Sequence, residues 1–99
     1  MADMAKVFKA LSDPTRLAIF ELVRKCGTEG CTEDQAADSL SHIAERFHLS
    51  LSTVSHHVKE LRNSGIITCE KRGQRLYCWV DPEVLRELEQ FAGPTAVGS

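Results

Sequence analysis

Hydrophobic positions recur along most of the chain at intervals of three and four residues, which is the spacing of an amphipathic α-helix. This pattern predicts helices at residues 4–11, 14–25, about 40–47, 51–62 and from 82 onward. In the helix at 14–25, the residues predicted to point inward are Leu17, Ile19, Phe20 and Val23. Asp13 and Ser50 stand where N-caps are expected, and Gly27 and Gly65 stand where helices commonly end.

The stretch from 28 to 39 has the weakest pattern. Its first residues have the composition of a loop. Thr32 is followed three residues later by Gln35, which is the pattern of a capping box. We therefore expect a short extra helical turn here, leading into the helix of about two turns that ends near Phe47.

β-branched, aromatic and cysteine residues between Gly65 and Asp81 predict a β-hairpin, with a tight turn around Arg72-Gly73. The hairpin follows two helices that are joined by the short break His48-Leu49-Ser50, which is the arrangement of a helix-turn-helix. The predicted fold is thus mainly α-helical with a small hairpin, a winged helix-turn-helix of order ααααββα. One domain is expected over residues 1–92, with a disordered tail at 93–99.

Charge is distributed unevenly along the chain. The net charge of the 99 residues is -2, but residues 50–80 sum to +3 and residues 28–49 to -4. Binding of DNA requires a local basic surface rather than a basic protein, and residues 50–80 are placed to supply it. No apolar run approaches the roughly 18 residues that span a membrane, and no export signal is evident. We therefore expect a cytoplasmic protein without a membrane partner.

The helix at 51–62 and the wing at 67–80 form the predicted surface for double-stranded DNA. The second helix of a helix-turn-helix enters the major groove, and small hydroxyl groups near its N-terminus let the backbone approach the duplex. Basic side chains at the hairpin tip are suited to phosphates or a minor groove. The candidate contacts are Ser50, Ser52, Thr53, Ser55, His56, Lys59, Arg62, Arg72, Gln74 and Arg75.

The chain resembles the ArsR/SmtB family of winged-helix repressors, most clearly in the segments LSDPTRLAIFELV and LSLSTVSHHVKELRNSGIITCEKRGQRLYCWVD. The resemblance covers roughly residues 4–91. It implies a homodimeric repressor that binds a palindromic operator and leaves it when an inducer arrives. The implied interface lies on the first and last helices, with Met4, Val7, Phe8, Leu11, Val84, Leu85, Leu88 and Phe91. Packing within one subunit explains the same residues equally well.

The four cysteines are the candidate sensor residues. Because the cytosol keeps cysteines reduced, we expect thiols rather than a disulfide framework. A turn at Arg72-Gly73 sets Cys69 diagonal to Cys78, whereas a turn at Gly73-Gln74 sets the two face to face. In both registers the two thiols lie on the core face of the hairpin, where cysteine is commonly a small buried hydrophobe. The alternative is redox sensing or a thiol-bound metal or metalloid inducer, at Cys26, Cys31, Cys69 and Cys78. No other cofactor is assigned.

The family's usual metal sites have no match in this sequence. The last helix carries Glu83, Glu87 and Glu89 but no histidine. His56 and His57 are neighbours on a helix, so their side chains point about 100° apart and do not chelate one ion. His57 lies on the apolar stripe and is interpreted as a core histidine.

An enzyme is not predicted, since no catalytic spacing stands out. The alternative function is a winged helix that binds other proteins without sequence-specific DNA binding. The polar first turn of the helix at 51–62, beside a basic wing tip, favours DNA.

Overall fold

The computed structural model describes residues 3–27 and 30–92. Its elements are α1 (Met4–Leu11), α2 (Pro14–Lys25), β1 (Cys31–Thr32), α3 (Glu33–Arg46), α4 (Leu51–Ser64), β2 (Ile67–Arg72), β3 (Arg75–Val80) and α5 (Pro82–Ala92). The predicted winged helix-turn-helix is confirmed, with one strand, β1, that was not expected. The tail predicted at 93–99 lies outside the described residues.

The predicted N-caps of α2 and α4 are confirmed. The Asp13 carboxylate accepts hydrogen bonds from the backbone N–H groups of Thr15 and Arg16, at 2.9 and 3.0 Å. Ser50 Oγ accepts one from the N–H of Thr53 at 3.2 Å. Such bonds satisfy N–H groups that have no partner within the helix, and they fix the residue at which each helix begins.

The third helix is longer than predicted. The capping box forms, because the Gln35 N–H donates to Thr32 Oγ1 at 3.2 Å and the Thr32 N–H donates to Gln35 Oε1 at 2.9 Å. From that box α3 runs without a break to Arg46, so the expected extra turn is the start of α3, and the predicted helix of about two turns was too short. The early turns of α3 are mostly exposed, and the apolar stripe therefore begins well after the helix does.

A tight turn connects α3 to α4. The His48 N–H donates to the carbonyl of Glu45 at 3.2 Å, and the Leu49 N–H donates to the carbonyl of Ala44 at 2.8 Å. These two bonds form a Schellman motif, with His48 at φ 56° in the left-handed region. The turn therefore fixes the direction in which α4 leaves α3.

The wing belongs to a three-stranded antiparallel sheet of order β1-β3-β2. Arg72 pairs with Arg75, so the two-residue turn is Gly73-Gln74 rather than Arg72-Gly73. Gly73 has φ 65° and Gln74 does not have a positive φ, which is the pattern of a type II′ hairpin turn. This register sets Cys69 directly opposite Cys78.

The core lies where α1, α2, α3, α4, β2 and α5 meet. Its most buried large side chains are Val7, Ile19, Val54, Leu61 and Ile66. The prediction that Leu17 points inward is wrong, since its side chain is 45% exposed. In α2 the buried positions centre on Ile19, and Leu17 lies 200° around the helix from it. None of the helices in the described ranges is long and apolar enough to cross a bilayer.

Candidate nucleic-acid interface

Helix α4 has a buried side and an exposed polar side. Val54 and Leu61 are 1% and 0% exposed, and they hold the helix against the core. The side turned away from the core carries the exposed residues Ser52, Ser55, His56, Lys59 and Arg62. The sequence-predicted candidates on α4 thus share one accessible face. The exception is Thr53, which is half-buried.

The hydroxyl groups at the start of α4 contact one another. Ser50 Oγ lies 3.0 Å from Ser52 Oγ and 2.9 Å from Thr53 Oγ1, in addition to capping the helix. Ser50 therefore positions the first turn of α4, and the Ser52 and Thr53 hydroxyls have a partner inside the protein.

The inner side of α4 is fixed by an arginine that sequence reasoning missed. Arg16 Nε donates to the carbonyl of Ala10 at 2.6 Å, and Arg16 Nη1 lies 3.2 Å from His57 Nδ1. Since a guanidinium group only donates, His57 Nδ1 is the acceptor and its ring proton lies on Nε2. Arg16 thereby joins the end of α1 to the recognition helix. The prediction that His57 is a satisfied histidine is confirmed by this contact, but its side chain is half-buried and does not belong to the core.

His56 is oriented differently from its neighbour. Its side chain is 65% exposed, and its Nε2 lies 3.8 Å from Glu60 Oε1 one turn later. The two imidazole rings are 6.3 Å apart between centroids and tilted by 55°. His56 therefore belongs to the outer face of α4, whereas His57 belongs to the junction with Arg16.

The basic side chains of the wing are not equivalent. Arg72 Nε donates to Glu70 Oε1 at 3.2 Å, and the Arg72 guanidinium lies 5.4 Å and 5.3 Å from the ring centroids of Tyr77 and Trp79. Arg72 is thus folded back along the outer face of the hairpin and its charge is partly neutralised. Gln74, in the turn, and Arg75, opposite Arg72, are also exposed at the tip.

Helices α1 and α5 meet at an exposed aromatic pair. The rings of Phe8 and Phe91 pack edge to face, 5.1 Å apart between centroids, while the two residues remain 42% and 67% exposed. Val7 and Val84, from the same two stripes, are buried in the subunit's own core. Fewer of the eight interface residues predicted from sequence are therefore accessible to a partner subunit.

The cysteines form two disulfides, Cys26–Cys31 and Cys69–Cys78, with Cα–Cα distances of 5.5 and 4.1 Å. The expectation of thiols rather than a disulfide framework, which was based on the reducing cytosol and not on geometry, is therefore wrong for this structure. β1 pairs Cys31 opposite Cys78, so three cysteines lie side by side across the sheet. Opposed residues share a face of the sheet. Because β1 has only two residues, no sequence pattern predicted this arrangement.

The face that carries these cysteines packs on the core, as the parity of the hairpin predicted. Cys31 and Cys78 line a cavity of about 130 Å³, together with aliphatic residues such as Leu22, Val58 and Ile67. Within the described ranges, no group of three or more His, Cys, Asp or Glu side chains is arranged to hold a metal ion. The cysteine row thus lies between the sheet and the helices, with Cys31 buried and Cys69 and Cys78 half-buried.

The second helix of the helix-turn-helix carries an accessible polar face, which is typical of a DNA-binding regulator. Proteins similar to this chain are regulators of this class. A family model of the helix-turn-helix domain matches residues 11–70. The chain is 38% identical over 90 residues to a cadmium resistance transcriptional regulatory protein CadC homolog of Staphylococcus aureus, over 91% of this chain and 67% of that protein. It is 34% identical over 84 residues to the transcriptional repressor SdpR of Bacillus subtilis, over 85% of this chain and 82% of the repressor.

Solved structures are similar to this chain over nearly its whole length. The crystal structure of an ArsR family transcriptional regulator has 27% identity and a TM-score of 0.63, over 90% of this chain and 87% of that one. A homodimeric winged helix-turn-helix DNA-binding domain from Mycobacterium bovis has 25% identity and a TM-score of 0.58, over 90% and 73%. The chain belongs to the ArsR family of winged helix-turn-helix transcription regulators, and it is not an enzyme.

Proposed function

We propose that this chain is a homodimeric repressor that binds a palindromic operator, with α4 in the major groove and the wing beside it. The observation that carries the proposal is the exposed polar face of α4, which the buried Val54 and Leu61 and the Arg16–His57 contact hold rigidly outward. A recognition helix positioned in this way is presented to base edges without any rearrangement. Access to the chromosome places such a repressor in the cytoplasm.

The roles of the candidate residues follow from their positions. Ser55 and His56 lie on the exposed face within the first half of α4 and are suited to base edges or nearby phosphates. Lys59 and Arg62 lie further along the same face and are suited to the phosphate backbone. Arg75 and Gln74 extend from the wing tip toward flanking DNA. Arg72 contributes less free charge, because Glu70 is its partner.

The proposed dimer uses the α1–α5 face around Phe8 and Phe91. Aromatic side chains that remain about half or more exposed in one subunit are suited to the centre of an interface. The Mycobacterium bovis relative of similar fold is homodimeric. A two-fold dimer sets two recognition helices roughly 34–36 Å apart, so the operator half-sites are expected one helical turn from each other.

Binding to selected DNA tests the proposal. Repeated selection from a random duplex pool by the purified protein is expected to yield a palindromic consensus. Ser55→Ala with His56→Ala is expected to weaken binding to the consensus by about tenfold or more, because base contacts carry about 1–3 kcal/mol each. Arg72→Ala with Arg75→Ala is expected to weaken binding to every duplex and to lower the salt dependence.

Ser41→Ala with His42→Ala is the matched control, because both residues are exposed on α3 and have the same side chains as the test pair. This variant is expected to bind as the wild type does. If selection yields no consensus and binding is independent of salt, the repressor proposal fails and a protein-binding winged helix is favoured instead.

We also propose that the redox state of the cysteines controls operator affinity. Three cysteines aligned across the sheet connect the α2–β1 loop to the wing, and Cys26 and Cys69 are partly accessible. Oxidation by a peroxide removes two electrons and two protons from each thiol pair, forming one disulfide and two waters from hydrogen peroxide. A dithiol reductant reverses this step. Oxidation or reduction therefore determines whether β2 is covalently linked to β3 through Cys69–Cys78, and whether the end of α2 is linked to β1 through Cys26–Cys31.

Operator affinity measured in hydrogen peroxide and in dithiothreitol tests this control. The two affinities are expected to differ, and the variant with all four cysteines changed to serine is expected to show no difference. Cys69→Ser with Cys78→Ser and Cys26→Ser with Cys31→Ser then assign the effect to one pair. If the serine variant responds as the wild type does, or if only Cd²⁺ or arsenite releases the wild-type protein, the redox proposal is wrong.

A further inference from the structure

Helix α4 begins with a large apolar side chain that is exposed. Leu51 is the first residue of the helix and is 59% exposed, whereas the other leucine of α4, Leu61, is fully buried. An exposed leucine on its own is ordinary. The position of Leu51 is unusual, because it lies at the N-terminal end of the recognition helix, and this end contacts base edges in the major groove.

The polar neighbours of Leu51 are already engaged. Ser50 Oγ caps the helix and contacts the hydroxyl groups of Ser52 and Thr53. These hydrogen bonds hold the first turn in one conformation. Leu51 has no polar atom to satisfy in its side chain and stands beside this hydroxyl cluster as the bulkiest group of the first turn.

Leu51 also shares a side of α4 with proposed DNA contacts. Successive residues turn by 100°, so Ser55 lies 40° and Arg62 lies 20° around the helix from Leu51. Both residues are exposed. If Ser55 approaches a base edge, Leu51 lies one turn earlier on the same strip.

The major-groove edges of the four bases carry one apolar group, the C5 methyl of thymine. We infer that Leu51 contacts the C5 methyl of a thymine in each half-site and makes the protein select thymine there. This inference rests on the proposed operator binding and adds a specificity-determining residue that is not among the polar candidates.

Replacing single thymines by deoxyuridine tests the contact, because the exchange removes only the methyl group. On the duplex selected by the wild-type protein, one such replacement in a half-site is expected to weaken binding about fourfold, the value of one buried methyl group. Leu51→Ala is expected to bind the thymine and deoxyuridine duplexes equally. Leu51→Gln is also expected to bind the thymine and deoxyuridine duplexes equally, since a glutamine amide pairs with adenine and gains nothing from the methyl group.

Leu17→Ala is the matched control, because Leu17 is a comparably exposed leucine on α2. It is expected to keep the full response to deoxyuridine. Thermal unfolding of each variant verifies that it is folded. If no thymine is sensitive, or if Leu51→Ala responds as strongly as the wild type, the contact is wrong while operator binding stands. Failure of the wild-type protein to select any consensus removes the repressor proposal itself.

Discussion

His48 carries a backbone conformation that most side chains avoid. Its φ of 56° lies in the left-handed region, which costs an L-residue roughly 1–2 kcal/mol. The two bonds of the Schellman motif, from the N–H groups of His48 and Leu49, hold it there. The strain is therefore located in the turn that orients the recognition helix, and it lies outside the predicted DNA surface.

Replacing His48 by glycine is expected to stabilise the protein by about 0.5–1 kcal/mol, because glycine adopts this φ freely and loses part of the gain through its entropy in the unfolded chain. The measurement is urea unfolding at equilibrium. His42→Gly provides the control, since His42 is exposed within α3 and the same substitution there is expected to destabilise by roughly 0.5–1 kcal/mol. Equal effects at the two sites would contradict the assignment of strain to His48.

At the level of secondary structure, β1 depends on a close approach of two backbones. Gly30 has φ 79°, and a Cβ atom placed on it would lie 2.6 Å from the carbonyl oxygen of Cys78 in β3. This distance is well inside van der Waals contact. Gly30 therefore permits β1 to pair with β3 and brings Cys31 beside Cys78.

Gly30→Ala is expected to destabilise the protein by about 2 kcal/mol or more, through the strained φ and the clash with β3. Amide hydrogen exchange is expected to show loss of protection where β1 pairs with β3, at Cys31 and Cys78. Gly27→Ala separates the two causes, because Gly27 has φ 71° but, among the described residues beyond its chain neighbours, no atom lies within 4 Å of the added Cβ. It is expected to cost only about 1 kcal/mol. A cost for Gly30→Ala no larger than this would show that the contact with Cys78 is unimportant.

The elements differ in how much of them the sequence predicts. The positions of α2 and α4 were predicted well, because both helices have a strong N-cap and a long apolar stripe. Asp13-Pro14 and Ser50 indicate where the two helices begin. α3 was predicted too short because its exposed first turns give no apolar signal. β1 was missed because two residues show no alternation, and its pairing depends on contacts far along the chain.

The candidate site was predictable to a similar degree. The polar face of α4 followed from helical periodicity and is exposed as expected. The Arg16–His57 contact spans 41 residues, and the folding back of Arg72 onto Tyr77 and Trp79 depends on the strand register. Neither can be derived from local pattern. The register also determined whether Cys69 faces Cys78, which the sequence left open between two turns.

At the scale of the whole molecule, the proposed dimer uses a polar, basic surface for DNA binding and an apolar surface for dimerisation. The α4 face and the wing tip are polar and basic, whereas the α1–α5 face presents Phe8 and Phe91. Phe91→Glu is expected to convert the dimer to a folded monomer, because a buried carboxylate without a partner is costly at an interface. Analytical ultracentrifugation measures the mass, and Leu17→Glu, at an exposed leucine on α2, is expected to remain dimeric.

The spacing of half-sites connects dimerisation to DNA recognition. Inserting five base pairs between the half-sites of the selected duplex turns one of them by about half a helical turn, out of reach of a rigid two-fold dimer. The wild-type protein is expected to lose at least tenfold in affinity on this duplex. Phe91→Glu is expected to bind both duplexes with the same, weaker affinity, because each monomer reads one half-site independently. If the variant and the wild type respond equally to the insertion, the α1–α5 face does not set the distance between recognition helices.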